Sequence, residues 1–140
     1  MFKKIFKINL ILLFFTTLSL AEIIKEVKVN GNKRISSESI VVFGDIILNT
    51  EYNDERLNAI FKKIYDTKFF KNISLEIKNS ILNITVTENP IIEDIQIVGI
   101  PSKKLTTLLY DKIKLKNRNS FIDTIFLADL NLIKNLIKNN

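Results

Sequence analysis

Apolar residues alternate with polar ones along several short stretches of the chain and recur at helical spacing along others. In 72–78, Ile73, Leu75 and Ile77 alternate with Ser74, Glu76 and Lys78. In 81–88, Leu82, Ile84 and Val86 alternate with Asn83, Thr85 and Thr87. A period of two with one apolar face predicts two half-buried strands, and the two residues between them, Asn79-Ser80, suit a hairpin. An earlier strand is expected over 23–29, with Val27 and Val29 on one face and Lys28 on the other, closed by the turn cluster Asn30-Gly31-Asn32. Ser36 can then N-cap a short helix with Glu38 in its first turn, with Ile40, Val41 and Phe43 on its apolar side and Gly44 at its end. A second helix opens at Asn53 with Asp54 and Glu55. Its Leu57, Ile60, Phe61, Ile64 and Tyr65 form one stripe at helical spacing, and the whole stripe, Phe61 and Tyr65 included, is expected to be core. The order is β-α-α-β-β, an α+β unit with two helices covering one face of a three-stranded sheet.

After Asn89-Pro90 the pattern restarts. Val27-x-Val29-x-Gly31 is echoed by Ile95-x-Ile97-x-Gly99, an offset of 68 residues. A helix is expected from about Ser102, with Leu105, Leu108 and Leu109 on one face. Another carries Ile122, Ile125, Phe126, Leu130, Ile133 and Ile137, opened by Ser120-x-x-Asp123 in the manner of a capping box. The chain therefore reads as a tandem repeat of about 70 residues per unit. The second copy stops before its closing hairpin, so 91–140 is expected to be marginal on its own, with too little apolar burial to offset chain entropy.

The first 21 residues follow another order. Lys3, Lys4 and Lys7 precede an apolar run from Ile8 to Phe15, and Ser19-Leu20-Ala21 places small residues where signal peptidase requires them. The run is shorter than the roughly 20 residues that span a bilayer, so a cleaved secretory signal over 1–21 is expected rather than an anchor. The net charge of +6 shrinks accordingly: three of the 21 Lys and Arg lie in this leader, leaving 18 against 15 acidic residues. No dense basic cluster with interleaved aromatics points to nucleic acid. Cysteine and histidine are both absent, which removes disulfides, thiolate chemistry and the commonest general base. Zinc would need carboxylates alone. Glycine occurs only at 31, 44 and 99, so there is no phosphate loop, and Glu93 and Asp94, being adjacent, face opposite sides of a strand. No catalytic site, metal or cofactor is expected.

Val27-x-Val29-x-Gly31-Asn32-x-Arg34-Ile35, Ile64-Tyr65-x-Thr67 followed by Phe70-x-Asn72-Ile73, and Leu82-x-Ile84-x-Val86-x-Glu88-x-Pro90 occur in this order. Together they resemble the first polypeptide-transport-associated (POTRA) domain of the BamA family of outer-membrane protein assembly factors and its junction into the second. The resemblance implies POTRA domain 1 over 22–89 and a truncated POTRA domain 2 over 90–140. Two departures stand out: Lys68 where the family usually has glycine, and Ile100 where it usually has asparagine. A left-handed backbone at 68 would cost more with lysine than with glycine.

The resemblance implies a periplasmic scaffold, exported by the general secretory route, that receives unfolded outer-membrane proteins and docks periplasmic chaperones or assembly subunits. Membrane association would come only through a barrel that these residues do not encode. The family's second strand lies at a sheet edge, and that edge falls on Asn72, Ile73, Ser74, Leu75, Glu76, Ile77 and Lys78. An open edge offers unpaired backbone groups to which an extended client can add by β-augmentation. Arg34 is either a docking contact or an ion-pair partner. Alternatives are the POTRA module of a two-partner secretion porin, or a division-type protein with one POTRA domain behind a membrane anchor. The secretory cleavage pattern and the repeat offset disfavour the second.

Overall fold

The structure, a computed structural model, describes residues 21–138. The expected leader over 1–21 lies outside the described residues except for Ala21. The elements run β1 (Glu22–Ile24), β2 (Glu26–Asn30), α1 (Ser37–Phe43), β3 (Thr50–Tyr52), α2 (Asp54–Asp66), β4 (Phe70–Lys78), β5 (Ile81–Glu88), α3 (Lys103–Lys112) and α4 (Asp123–Lys138). The fold is α+β. Its main sheet has the order β2-β5-β4, with β2 parallel to β5 and β5 antiparallel to β4.

Local chemistry sets these boundaries. Ser36 and Asn53 each accept a hydrogen bond from the backbone N–H three residues on, capping α1 and α2. The β4–β5 hairpin turns on Asn79 and Ser80, both left-handed at φ 53° and 61°, which matches the strands' twist. Gly31 is left-handed too, and any side chain there would run into the Val86 carbonyl oxygen of β5.

The expected strand over 23–29 is in fact two. It breaks at Lys25, whose N–H donates to the Ser80 carbonyl at 2.8 Å. The leading piece, β1, leaves the main sheet and pairs antiparallel with β3, an element that the hydrophobic pattern is too short to reveal. Tyr52 of β3 is buried at 1% exposure. Its hydroxyl accepts from the Ile47 N–H at 2.9 Å and donates to the Ile47 carbonyl at 3.0 Å.

The core joins Ile24, Ile40, Tyr52, Ile60, Ile64, Phe70, Leu82, Ile84 and Val86, between the helices and one face of the sheet. Phe61 and Tyr65 are not in it. They are 39% and 48% exposed and stack on each other at 5.9 Å with an 8° interplanar angle. Each lies one residue, hence about 100°, round the helix from Ile60 and Ile64, which face the sheet. With β4 the last strand, the sheet ends before it can cover them.

Beyond Asn89 the echo of β2 does not form a strand. Residues 92–98 have no ladder. The hydroxyl of Tyr110 serves them instead, accepting from the Ile97 N–H at 2.9 Å and donating to the Ile95 carbonyl at 3.2 Å. Gly99 repeats the left-handed conformation of Gly31, at φ 80°, but nothing lies within 4 Å of where its Cβ would be. α3 begins where a helix was expected, and the Ser102 side chain caps it. The capping box at α4 does not form. Ser120 bridges to Ile91, and the Asp123 carboxylate pairs with Lys71 at 3.2 Å. Burial here is thin. Of the helical stripes only Leu109 is fully covered, with Ile113 and Leu115 beside it, while Phe126 and Ile137 stay exposed.

Candidate binding edge

β4 carries all seven residues from Asn72 to Lys78, and it is an edge strand. Ile73, Leu75 and Ile77 turn their side chains toward the core, while Asn72, Ser74, Glu76 and Lys78 are exposed. The register decides which backbone groups are free. Lys78 pairs with Ile81 across a two-residue turn, so this pair exchanges hydrogen bonds, and so do Glu76↔Asn83 and Ser74↔Thr85. The intervening pairs, Ile77↔Leu82, Leu75↔Ile84 and Ile73↔Val86, do not. The N–H and C=O groups of Ile73, Leu75 and Ile77 therefore point outward from the sheet. Among the described residues no backbone group meets them. The same three residues thus give their side chains to the core and their backbones to solvent.

Beside this edge runs the outer ridge of α2. Leu57, Phe61 and Leu75, with Asp54 and Asn58, line an open groove of about 370 Å³. The Phe61–Tyr65 stack continues the ridge, and Lys68 Nζ sits 4.8 Å from the centre of the Tyr65 ring. A strand added to β4 would set alternate side chains against this apolar ridge. The aromatic wall of the groove is Phe61, and it and its stacking partner Tyr65 are both residues that helical periodicity alone assigns to the core.

Arg34 lies elsewhere, at the end of the sheet. Its Nε is 3.0 Å from Glu88 Oε2, and its Nη2 donates to the Asn89 carbonyl at 2.8 Å. The Nε–Oε2 approach makes an ion pair but falls outside hydrogen-bond geometry. Glu88 stands in the third sequence motif, two residues before Pro90, and its side chain is 6% exposed and organises the turn. Its Oε1 accepts the backbone N–H groups of Lys33, Arg34 and Ile35 at 2.7, 2.8 and 3.0 Å. Burial pushes the carboxyl upward, but the three amides and the Arg34 guanidinium outweigh it and hold the group below its ordinary value. Both ends of this constellation stand in the sequence motifs, but nothing in their spacing pairs residues 34 and 88.

Asn89, also buried, donates from Nδ2 to the Lys68 carbonyl at 2.9 Å and from its backbone to the Phe69 carbonyl at 2.8 Å. Lys68 is left-handed at φ 64°, the conformation that makes lysine there more costly than glycine. In 114–129 a second buried carboxylate, Asp129, accepts from the Lys114 N–H at 2.9 Å and the Leu115 N–H at 2.8 Å. Among the described residues no cluster of side chains could hold a metal ion, and no helix is long and apolar enough to cross a membrane.

A protein named outer membrane protein assembly factor BamA from Neorickettsia risticii is 27% identical over 112 residues, 80% of this chain and 15% of that protein. The protein of that name from Neisseria meningitidis serogroup B is 33% identical over 113 residues, 80% of this chain and 13% of that protein. The chain thus spans a small part of the curated relatives it matches. No protein-family model matches it. Among solved structures, the N-terminal domain of Omp85 from Thermosynechococcus elongatus superposes with a TM-score of 0.56 at 14% identity, covering 86% of this chain and 53% of that one. The POTRA1-3 segment of the periplasmic domain of Omp85 from Anabaena gives 0.51 at 11% identity, covering 86% and 52%. At these identities the structural likeness speaks for the fold alone.

Proposed function

Because this chain is a POTRA segment of the BamA kind, we propose that it works as a periplasmic scaffold of outer-membrane β-barrel assembly. It takes up unfolded outer-membrane proteins by strand addition at β4, and it docks chaperones or assembly subunits rather than catalysing a reaction. The observation that carries this reading is the β4 edge, open along Ile73, Leu75 and Ile77 and flanked by the groove under Phe61. Backbone pairing is indifferent to most client side chains, and the apolar ridge favours the alternating apolar residues of a barrel strand. Export by the general secretory route follows from the leader pattern.

Amide hydrogen exchange, read by NMR with a peptide copied from an outer-membrane β-strand, tests the proposal. Ser74 and Glu76 already donate into β5 and are expected to be protected without peptide. The amides of Ile73, Leu75 and Ile77 are expected to gain protection when it binds. A folded protein whose exchange at these three amides ignores saturating peptide would end the strand-addition reading and leave a spacer or docking role.

A further inference from the structure

A cleft of about 370 Å³ lies where the end of α2 and the start of β4 meet the 114–122 loop. Its lining holds four cationic side chains, Arg34, Lys68, Lys114 and Arg118, and no carboxylate. Glu88 compensates Arg34 from beneath. Lys68, Lys114 and Arg118 have no carboxylate within ion-pair distance among the described residues. The lining also has an apolar part, Phe69, Leu115, Ile122, Ile125 and Ile91, the last 44% exposed.

Backbone conformation marks the same place. Among the described residues six non-glycine ones are left-handed: Asp45, Asn49, Lys68, Asn79, Ser80 and Arg118. Four of them are short polar residues, the types most common in turns. The two long cations, Lys68 and Arg118, both line this cleft. Glycine or asparagine would be less strained at either position, so what the chain gains from a cation there is the charge. Arg118 is held in place by its N–H, which donates to the Ile92 carbonyl at 2.7 Å.

We propose that this cleft is a second binding site, separate from the β4 edge, for an acidic segment of a partner protein that carries a bulky apolar side chain. The carboxylates meet Lys68, Lys114 and Arg118 at the rim, and the apolar side chain enters the interior beside Ile91. A small inorganic anion would leave that apolar surface uncovered, which is why a polypeptide is the better fit.

The test is fluorescence anisotropy on the full chain with a labelled, end-blocked peptide Glu-Phe-Glu-Leu-Glu, in about 50 and about 500 mM salt, where screening differs strongly. The acidic peptide is expected to bind at low salt and to weaken at high salt. Its counterpart with glutamine for each glutamate is expected to bind about tenfold less tightly, since each partly exposed charge pair contributes a fewfold factor. The pair Lys114→Gln and Arg118→Asn, the latter keeping a residue that tolerates the left-handed backbone, is expected to weaken binding about threefold to tenfold. Lys112→Gln with Lys138→Gln, outside the cleft, is expected to leave it unchanged, and far-UV circular dichroism checks the fold of each variant. A barrel-strand peptide at the β4 edge is expected not to compete. Equal binding of the glutamine peptide, or full binding by the folded Lys114→Gln/Arg118→Asn variant, overturns the proposal. So does cleft-dependent binding of anionic phosphatidylglycerol vesicles with no binding of the peptide.

Discussion

Glu88→Ala is the sharpest perturbation of the fold built on the β2-β5-β4 sheet. The carboxylate accepts three backbone N–H groups and faces Arg34. A charge-assisted hydrogen bond contributes about 1.5–3 kcal/mol. Lys33 and Arg34 are exposed, so their amides can be rehydrated after the loss, whereas Ile35 is half-buried. The ion pair with the partly exposed Arg34 adds at most about 1 kcal/mol. The expected loss is therefore about 3 kcal/mol, or a fall in Tm of about 15 °C for a domain of this size. Glu88→Gln keeps an acceptor oxygen but not the charge and should lose about half as much, on the same hydrogen-bond magnitudes.

Urea unfolding at pH 7 and at pH 3, followed by circular dichroism, reads both variants. The folded carboxyl titrates below its ordinary value of 4.5. A lowered folded pKa stabilises above the unfolded value, and the gain is lost as pH falls through the folded one. The gap between wild type and Glu88→Gln should therefore be full at neutral pH and narrow in acid. A loss under about 0.5 kcal/mol for Glu88→Ala, within the range of ordinary surface substitutions, would refute the reasoning. So would a gap that does not depend on pH.

Further expectations can be checked by the same unfolding assay or by proteolysis. Gly31→Ala should cost more than about 2 kcal/mol, because its Cβ meets the Val86 carbonyl, whereas Gly99→Ala should cost only the conformational penalty of about 1 kcal/mol. Tyr52→Phe removes both hydrogen bonds to Ile47 and should lose about 1–2 kcal/mol. Lys68→Gly relieves a left-handed lysine and should gain up to about 1 kcal/mol, less whatever the contact with Tyr65 contributes. Under limited proteolysis 93–101, which lacks ladder bonds, should be cut well before the β4–β5 hairpin; equal resistance would show that 91–138 is more stable than its thin burial suggests.

Where local chemistry decides the structure, the sequence was legible. Ser36 caps the helix it was expected to cap, helices open at Asn53 and Ser102 where they were expected, and the two-residue turn at Asn79-Ser80 sets the register that turns the backbones of Ile73, Leu75 and Ile77 outward. Where the structure depends on what lies opposite, the sequence was silent. Lys25 looks like any strand residue until Ser80 draws its amide aside, and Thr50–Tyr52 is too short for periodicity to detect. Phe61 and Tyr65 fit the core stripe perfectly well, and only the end of the sheet leaves them in solvent. Ile95 and Ile97 alternate as a strand should, but no neighbouring strand is present among the described residues to pair with them.

The tie at Asn89 has a mechanical meaning. Its amide and side chain grip the Phe69 and Lys68 carbonyls, and Arg34 grips its own carbonyl. Just past it the Pro90 carbonyl is held by the Phe121 N–H at 2.7 Å. The passage out of β5 is thus clamped on both sides and is not a free swivel. β2 and β5 run parallel, so a pull between the N-terminal end of β2 and the C-terminal end of β5 loads their whole ladder in shear. All its hydrogen bonds would strain together instead of opening one at a time. A pull on later parts of the chain would therefore meet a stiff mount, with the give located beyond residue 92, in a stretch without ladder bonds that side chains secure, the Tyr110 hydroxyl at Ile95 and Ile97 and the Asn117 amide at Asp94.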